Sequence, residues 1–163
     1  MIYVIDHEDS FTYNLVHLLD NFGTTYVSNY FNIDKKKLDA CKIIVFSPGP
    51  GDPSHYPETQ KIYHQYKGVK KIIGICLGFQ QILYAEKGQI IAQKKIFHGY
   101  QSRIKVLNGS SLFKPNKILL GGRYHSLKLK EPFYNKNLKI TMRCAETNVA
   151  MAIEDTINNV YGF

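Results

Sequence analysis

Cys76 stands between two glycines in the run Ile72-Ile73-Gly74-Ile75-Cys76-Leu77-Gly78-Phe79-Gln80-Gln81. An apolar run stops at a lone cysteine, and helix-forming residues follow at once. This is the pattern of a strand that turns sharply into a helix with the side chain at the turn held in the open. The glycines permit close backbone approach and strained dihedrals without a Cβ clash. The helix beyond aims unsatisfied N–H groups and the positive end of its dipole at the thiol, which is expected to favour thiolate, the nucleophilic form. A core cysteine closing a buried strand is the plainer alternative. The flanking glycines favour the nucleophile.

A second candidate is Ser47-Pro48-Gly49-Pro50-Gly51. Proline fixes φ and removes donors at its own positions, while glycine lets a peptide N–H be presented to a ligand. Beside a thiolate, such a loop can donate an N–H to the oxyanion of a tetrahedral intermediate, with the N–H of Leu77 as the second donor. By composition alone it could equally be a turn that ends a strand.

The elements that would carry these loops alternate in type. Ile2 to Asp6 reads as a buried first strand. Asp9-Ser10 supply a helix N-cap, and Phe11, Leu15, Leu18, Leu19 and Phe22 form a helical apolar stripe that Gly23 ends. Strands over 24–30, 42–46 and 71–75 alternate with helices over 34–41, 58–66 and 79–86. That order implies a mainly parallel, doubly wound α/β sheet. After Gly88 the chain turns β-rich, with short strands over 89–93, 102–107, 118–120, 138–144 and 149–153 that extend the same sheet. No Pro/Gly/Ser linker divides the halves, so residues 1–163 read as one domain, long enough to bury about two thirds of its unfolded surface. Ligands of open α/β sheets bind beyond the carboxyl ends of the strands. The loops over 6–10 and 47–53 and the Cys76 turn all lie there.

Composition excludes several classes. No apolar stretch approaches the roughly 18 residues that span a bilayer, so no membrane partner is expected. The N-terminus enters structure directly, without the features of a signal peptide. Three widely spaced cysteines (Cys41, Cys76, Cys144) fit a reducing cytoplasm better than a disulfide framework. The net charge of +8 raises nucleic acid as a partner. However, the lysines fall in small scattered groups (Lys35 to Lys37, Lys70-Lys71, Lys94-Lys95) with no aromatic-interleaved basic stripe, and they read as solvated faces. No metal-ligand cluster stands out, and no cofactor is called for.

Taken together, Ser-Pro-Gly-Pro-Gly and, 29 residues later, the Gly-Ile-Cys-Leu-Gly elbow resemble the class I, triad-type glutamine amidotransferases. Asp9-Ser10-Phe11-Thr12-Tyr13-Asn14, His98-Gly99 and Arg123-Tyr124-His125-Ser126-Leu127 narrow the resemblance to the small subunits of anthranilate synthase and aminodeoxychorismate synthase. It runs over the whole chain, with the motifs in the expected order. It implies a flavodoxin-like fold and hydrolysis of glutamine through a thioester on Cys76, the ammonia passing to a chorismate-using large subunit. On that resemblance Gly49, Pro50 and Gly51 line the glutamine site, with the Gly51 and Leu77 N–H groups at the oxyanion. Gln80 contacts the substrate, and Ser126 and Leu127 hold its amino-acid end. Asp9, Ser10, Tyr13, Asn14, His98 and Gly99 face the synthase partner.

Two departures from the family pattern matter. Phe79 replaces a common histidine outside the triad, so changed packing behind the elbow is expected. The family's general-base histidine and its orienting glutamate normally follow in a Gly-Phe-Gln-Phe-His-Pro-Glu segment, and this sequence reads Asn159-Val160-Tyr161-Gly162-Phe163. His125 and His98 are nearer candidates for a substitute base than His7, His17, His55 or His64, but neither has an acidic residue two positions on. Losing a triad base costs several orders of magnitude in rate. The 163 residues alone are therefore expected to be nearly inactive on glutamine, either as a fragment of a longer subunit or as a non-catalytic, partner-binding one. Without a last helix, an apolar face of the sheet is expected to be exposed.

Overall fold

The computed structural model describes residues 1–93 and 96–163, so the Lys94-Lys95 group lies outside the described residues. Four parallel strands come first: β1 (Ile2–Asp6), β2 (Thr25–Asn29), β3 (Ile43–Phe46) and β4 (Lys71–Gly74). They are connected through α1 (Thr12–Asp20), α2 (Lys35–Ala40) and α3 (Pro57–Tyr66), and α4 (Leu77–Ala85) follows β4. The second half supplies β5 (Ile90–Ala92), β6 (Tyr100–Val106), β7 (Ile118–Arg123), β8 (Leu127–Leu129), β9 (Lys139–Cys144), β10 (Ala150–Asp155) and β11 (Val160–Gly162). Among the described residues the main sheet has nine strands in the order β2-β1-β3-β4-β11-β10-β9-β6-β7. Its first five positions are parallel and the rest antiparallel. Parallel strands covered on both faces must be apolar throughout. Accordingly Val4, Ile44, Val45 and Ile72 are fully buried.

The sequence reading needs three corrections here. Residues 89–93 do not extend the main sheet, because among the described residues β5 pairs only with β8, in a separate two-stranded ribbon packed against α4. The strand β8 has no signal beyond a short Leu-Lys-Leu alternation. Helix α1 begins one or two residues later than an Asp9 or Ser10 cap implies. Phe11 occupies the cap position, and Asp9 instead accepts the Phe11 N–H in a preceding turn. The stripe on α1 is also displaced. Thr12 and Val16 are buried with Leu15 and Leu19 beside them, whereas Phe11, Leu18 and Phe22 are exposed.

Register places Phe46, Gly74 and Gly162 side by side across β3, β4 and β11. This row sits under the start of α4. The helix is buried from Leu77 to Leu83 and can approach the sheet because two of the three positions beneath it carry no side chain.

Candidate active site

Strand β4 ends at Gly74, and the chain reverses into α4 within two residues. Cys76 takes the strain of that reversal, at φ 53°, ψ −102°, a conformation that L residues rarely adopt. The surroundings over-determine it. Its N–H donates to the Phe163 carbonyl at 2.8 Å, the Gln80 N–H donates to its carbonyl at 3.1 Å, and the Gly78 N–H closes a turn on Ile75 at 2.9 Å. A methyl on Gly78 would run into the Phe46 carbonyl oxygen, and one on Gly74 into the Gly78 carbonyl. The Gly-x-Cys-x-Gly pattern is therefore a steric requirement of helix-on-sheet approach. Phe79 is buried behind the elbow, with its ring edge against Gly162.

The thiol is half-buried, whereas Cys41 and Cys144 are buried. Its electrostatics overturn the expectation of a ready thiolate. Burial pushes the Cys76 thiol above its ordinary value, the hydrogen bond from the Leu77 N–H offsets this only in part, and the Asp9 charge adds to the rise. At neutral pH the group is a thiol, and attack on a carbonyl requires a base to take its proton.

The 47–51 loop leaves β3, next to β4, and touches the elbow. A Cβ on Gly49 would strike both the Leu77 side chain and the Cβ of His7. Gly51 adopts φ +78°, open to glycine and strained for others. The loop is tied from behind by side-chain hydrogen bonds that its sequence does not announce. Ser47 Oγ donates to the Pro48 carbonyl at 2.6 Å and accepts the His7 N–H at 2.9 Å. Tyr56 Oη donates to the Pro50 carbonyl at 2.7 Å. His7 is fully buried, with Nε2 2.9 Å from Thr59 Oγ1 and Nδ1 3.3 Å from Ser47 Oγ. The single Ser47 hydroxyl proton is committed to Pro48, so His7 carries its proton on Nδ1 and accepts from Thr59. Burial depresses its pKa to about 4, so it is neutral at pH 7.

Gln80, assigned to the substrate, is buried one turn into α4. Its neighbour Gln81 is fully buried and reaches back to the Pro53 carbonyl at 3.3 Å, joining α4 to the turn that follows the 47–51 loop. Ser126 is exposed and Leu127 opens β8. Both lie on the ribbon against α4. Among the described residues no hydrogen bond joins either of them directly to the elbow or to the 47–51 loop.

Arg123 organises this ribbon although its side chain is almost wholly buried. The guanidinium lies 3.6 Å from the centre of the Phe97 ring. It donates to His125 Nε2 at 3.0 Å, Gln93 Oε1 at 3.2 Å and Cys144 Sγ at 3.3 Å. His125 therefore holds its proton on Nδ1, facing the Leu127 carbonyl at 2.8 Å, and its accepting nitrogen is occupied. Burial and the adjacent Arg123 charge push its pKa below the usual histidine value. This histidine cannot take the Cys76 proton without losing the Arg123 bond. His55, which the sequence ranks below His125 and His98, lies beside the loop. A short 3-10 turn over Pro53–His55 brings its Nδ1 within 2.9 Å of where a Gly51 Cβ would sit.

Of the residues assigned to a partner, Asp9 is half-buried, while Ser10, Tyr13, Asn14, His98 and Gly99 are exposed. The two segments meet around Tyr124, whose ring centre lies 5.6 Å from that of Phe11 and 5.4 Å from that of His98. No group of acidic, histidine or cysteine residues suited to a metal ion occurs among the described residues. No helix there is long and apolar enough to cross a membrane.

Comparison with known proteins agrees with this geometry. Residues 3–163 match the family model for glutamine amidotransferase class-I. Anthranilate synthase component 2 of Lactococcus lactis is 33% identical, covering 99% of this chain and 83% of the relative. The Pyropia yezoensis protein of the same name is 37% identical, covering 98% and 86%. That of Methanocaldococcus jannaschii is 38% identical, covering 93% and 76%. Among solved structures, a glutamine amidotransferase from Thermotoga maritima superposes with a TM-score of 0.74 at 12% identity, over 99% of this chain and 73% of that one. One from Methylobacillus flagellatus gives 0.77 at 15%, over 100% and 67%. At such identities these two speak for the fold, a flavodoxin-like α/β sheet.

Proposed function

The chain belongs to the class I glutamine amidotransferases, and from that premise we propose that Cys76 hydrolyses glutamine for a chorismate-using synthase subunit. The thiol attacks the carboxamide carbon and its proton passes to the amide nitrogen; the Gly51 and Leu77 N–H groups receive the oxyanion, the C–N bond breaks to release ammonia, and water cleaves the γ-glutamyl thioester to glutamate and the free thiol. Gly49, Pro50 and Gln80 line the glutamine site, and Ser126 and Leu127 hold its amino-acid end. Asp9, Ser10, Tyr13, Asn14, His98 and Gly99 form the docking face of the large subunit. The product is anthranilate or aminodeoxychorismate, since the chemistry on chorismate belongs to the partner. We take residues 1–163 as a single amidotransferase domain working in the cytoplasm.

The observation that carries this reading is the strained, over-determined Cys76 with the 47–51 loop against its following helix. The test is Cys76→Ser in the full-length subunit, in complex with the synthase subunit. Glutamine-dependent synthesis should vanish and ammonia-dependent synthesis should persist. Survival of glutamine use would remove Cys76 from the role.

A second reading, a partner-binding subunit that does not hydrolyse glutamine, is favoured by His125, whose basic nitrogen is bonded to Arg123. On this reading the complex uses free ammonia only, and added glutamine leaves its rate unchanged.

A further inference from the structure

A cavity of about 810 Å³ lies at the opposite end of α4 from Cys76. The turn after the helix, Glu86 to Gln89, forms one wall and the 130–136 loop the other. Both walls are tied in place. The Gly88 N–H donates to the Leu83 carbonyl at 2.8 Å, the Lys130 N–H to the Gln89 carbonyl at 2.8 Å, and Asn135 Nδ2 to Glu86 Oε2 at 2.7 Å. The volume falls within the roughly 300–1,000 Å³ of small-molecule sites.

The charges around this cavity do not balance. Glu86 is taken by Lys67 and by the Tyr63 hydroxyl at 2.7 Å, and Glu131 is gripped by both η nitrogens of Arg143. Lys87, Lys130 and Lys136 also line the cavity, and among the described residues none of them forms an ion pair with a carboxylate. Far apart in sequence, they meet only through the fold. Like charges gathered in one place repel, and an anion of several charges relieves that repulsion. Lysine ammoniums act as compact point charges suited to phosphate. At the same cavity the Tyr134 side chain is 89% exposed, beside a half-buried Phe133. A bare aromatic ring next to unpaired cations offers a base a stacking surface and its phosphates a counter-charge. We propose that this cavity binds a free nucleotide, with its phosphates on Lys87, Lys130 and Lys136 and its base against Tyr134. The site goes beyond the amidotransferase reading and does not depend on Cys76.

The test is isothermal titration of the full-length subunit with ATP, at about 150 mM salt and without divalent cations. One-to-one binding is expected, with inorganic tripolyphosphate about 10-fold weaker because it lacks the stacked base. Tyr134→Ala should weaken ATP about 10-fold and leave tripolyphosphate unchanged. An exposed charge contact is worth up to about 5-fold, so Lys87→Gln, Lys130→Gln and Lys136→Gln combined should weaken both ligands about 100-fold. All four replaced side chains are exposed, so the melting temperature should stay near that of the unaltered protein. Lys35→Gln, Lys36→Gln and Lys114→Gln combined remove the same charge away from the cavity and should leave binding unchanged. Equal losses in the two triple variants would trace the attraction to net charge and overturn the site. So would the absence of saturable binding up to about 1 mM ATP. Equal affinities for ATP and tripolyphosphate, or tighter binding of a single-stranded oligonucleotide than of ATP, would overturn the assignment to a free nucleotide.

Discussion

The elbow at Cys76 and the ribbon around Arg123 are held by opposite means. At the elbow the backbone does the work. Gly74 and Gly78 let α4 press on the sheet, and Cys76 carries the strain of the turn from β4 into that helix. Around Arg123 the backbone is ordinary, and side chains set the geometry. One buried guanidinium fixes the tautomer of His125, the amide of Gln93 and the ring of Phe97. A backbone-built site tolerates little change in residue size but much in neighbouring chemistry. A site built from side chains behaves the other way round.

Gly78→Ala breaks the comparison hardest. Its methyl would meet the Phe46 carbonyl, which belongs to a central strand and cannot yield. The expected loss is about 4 kcal/mol or more, read from denaturant midpoints. A stable Gly78→Ala protein would show that the elbow is not fixed by steric approach.

His7, behind the 47–51 loop, gives the next effect, through pH. Its pKa is lowered to about 4 from an ordinary 6.5. Between these values the unfolded chain binds a proton that the native state refuses. Stability is thus intact above pH 6.5 and falls as pH drops towards 4, by about 3 kcal/mol for a shift of this size. His7→Asn should lose that part of the pH dependence. Parallel stability curves for the two proteins between pH 4 and 6.5 would contradict the buried neutral histidine.

Arg123→Met keeps an apolar stem over Phe97 but leaves the acceptors of His125 and Gln93 unpaired, at about 2 kcal/mol. In contrast to Gly78→Ala, the fold should persist while the hydrogen-exchange protection of residues 125–127 declines. Unchanged protection there would show that the ribbon does not depend on the guanidinium.

The smallest effect is kinetic. A thiol reagent should reach Cys76 before Cys41 or Cys144 because the other two are buried, and its rate should keep rising with pH past the ordinary thiol range. A plateau below that range would restore the helix-activated thiolate.

The same contrast explains what could be read from the sequence. The elbow, the glycine loop and the parallel strands were legible because glycine spacing and apolar runs report backbone demands directly. The low thiol pKa expected from the helix end was wrong because burial and Asp9 outweigh one donor, and neither shows in local sequence. Tyr56, His7 and Gln81 were missed because they act through tertiary contact. Nothing in Pro53-Ser54-His55-Tyr56 signals a hydroxyl that folds back on Pro50. The surface stripe on α1 was misplaced because Phe11 and Leu18 match the helical period while facing outward. An apolar period identifies a helix more surely than the face it buries.

Acid-quenched peptide mass analysis after exposure to the γ-p-nitrophenyl ester of N-acetylglutamate tests the central claim most directly, that Cys76 is the nucleophile of a glutamine site. The account predicts an N-acetyl-γ-glutamyl group on the peptide containing Cys76 and none in Cys76→Ala. Equal labelling of Cys41 or Cys144, or an adduct that survives Cys76→Ala, would contradict it.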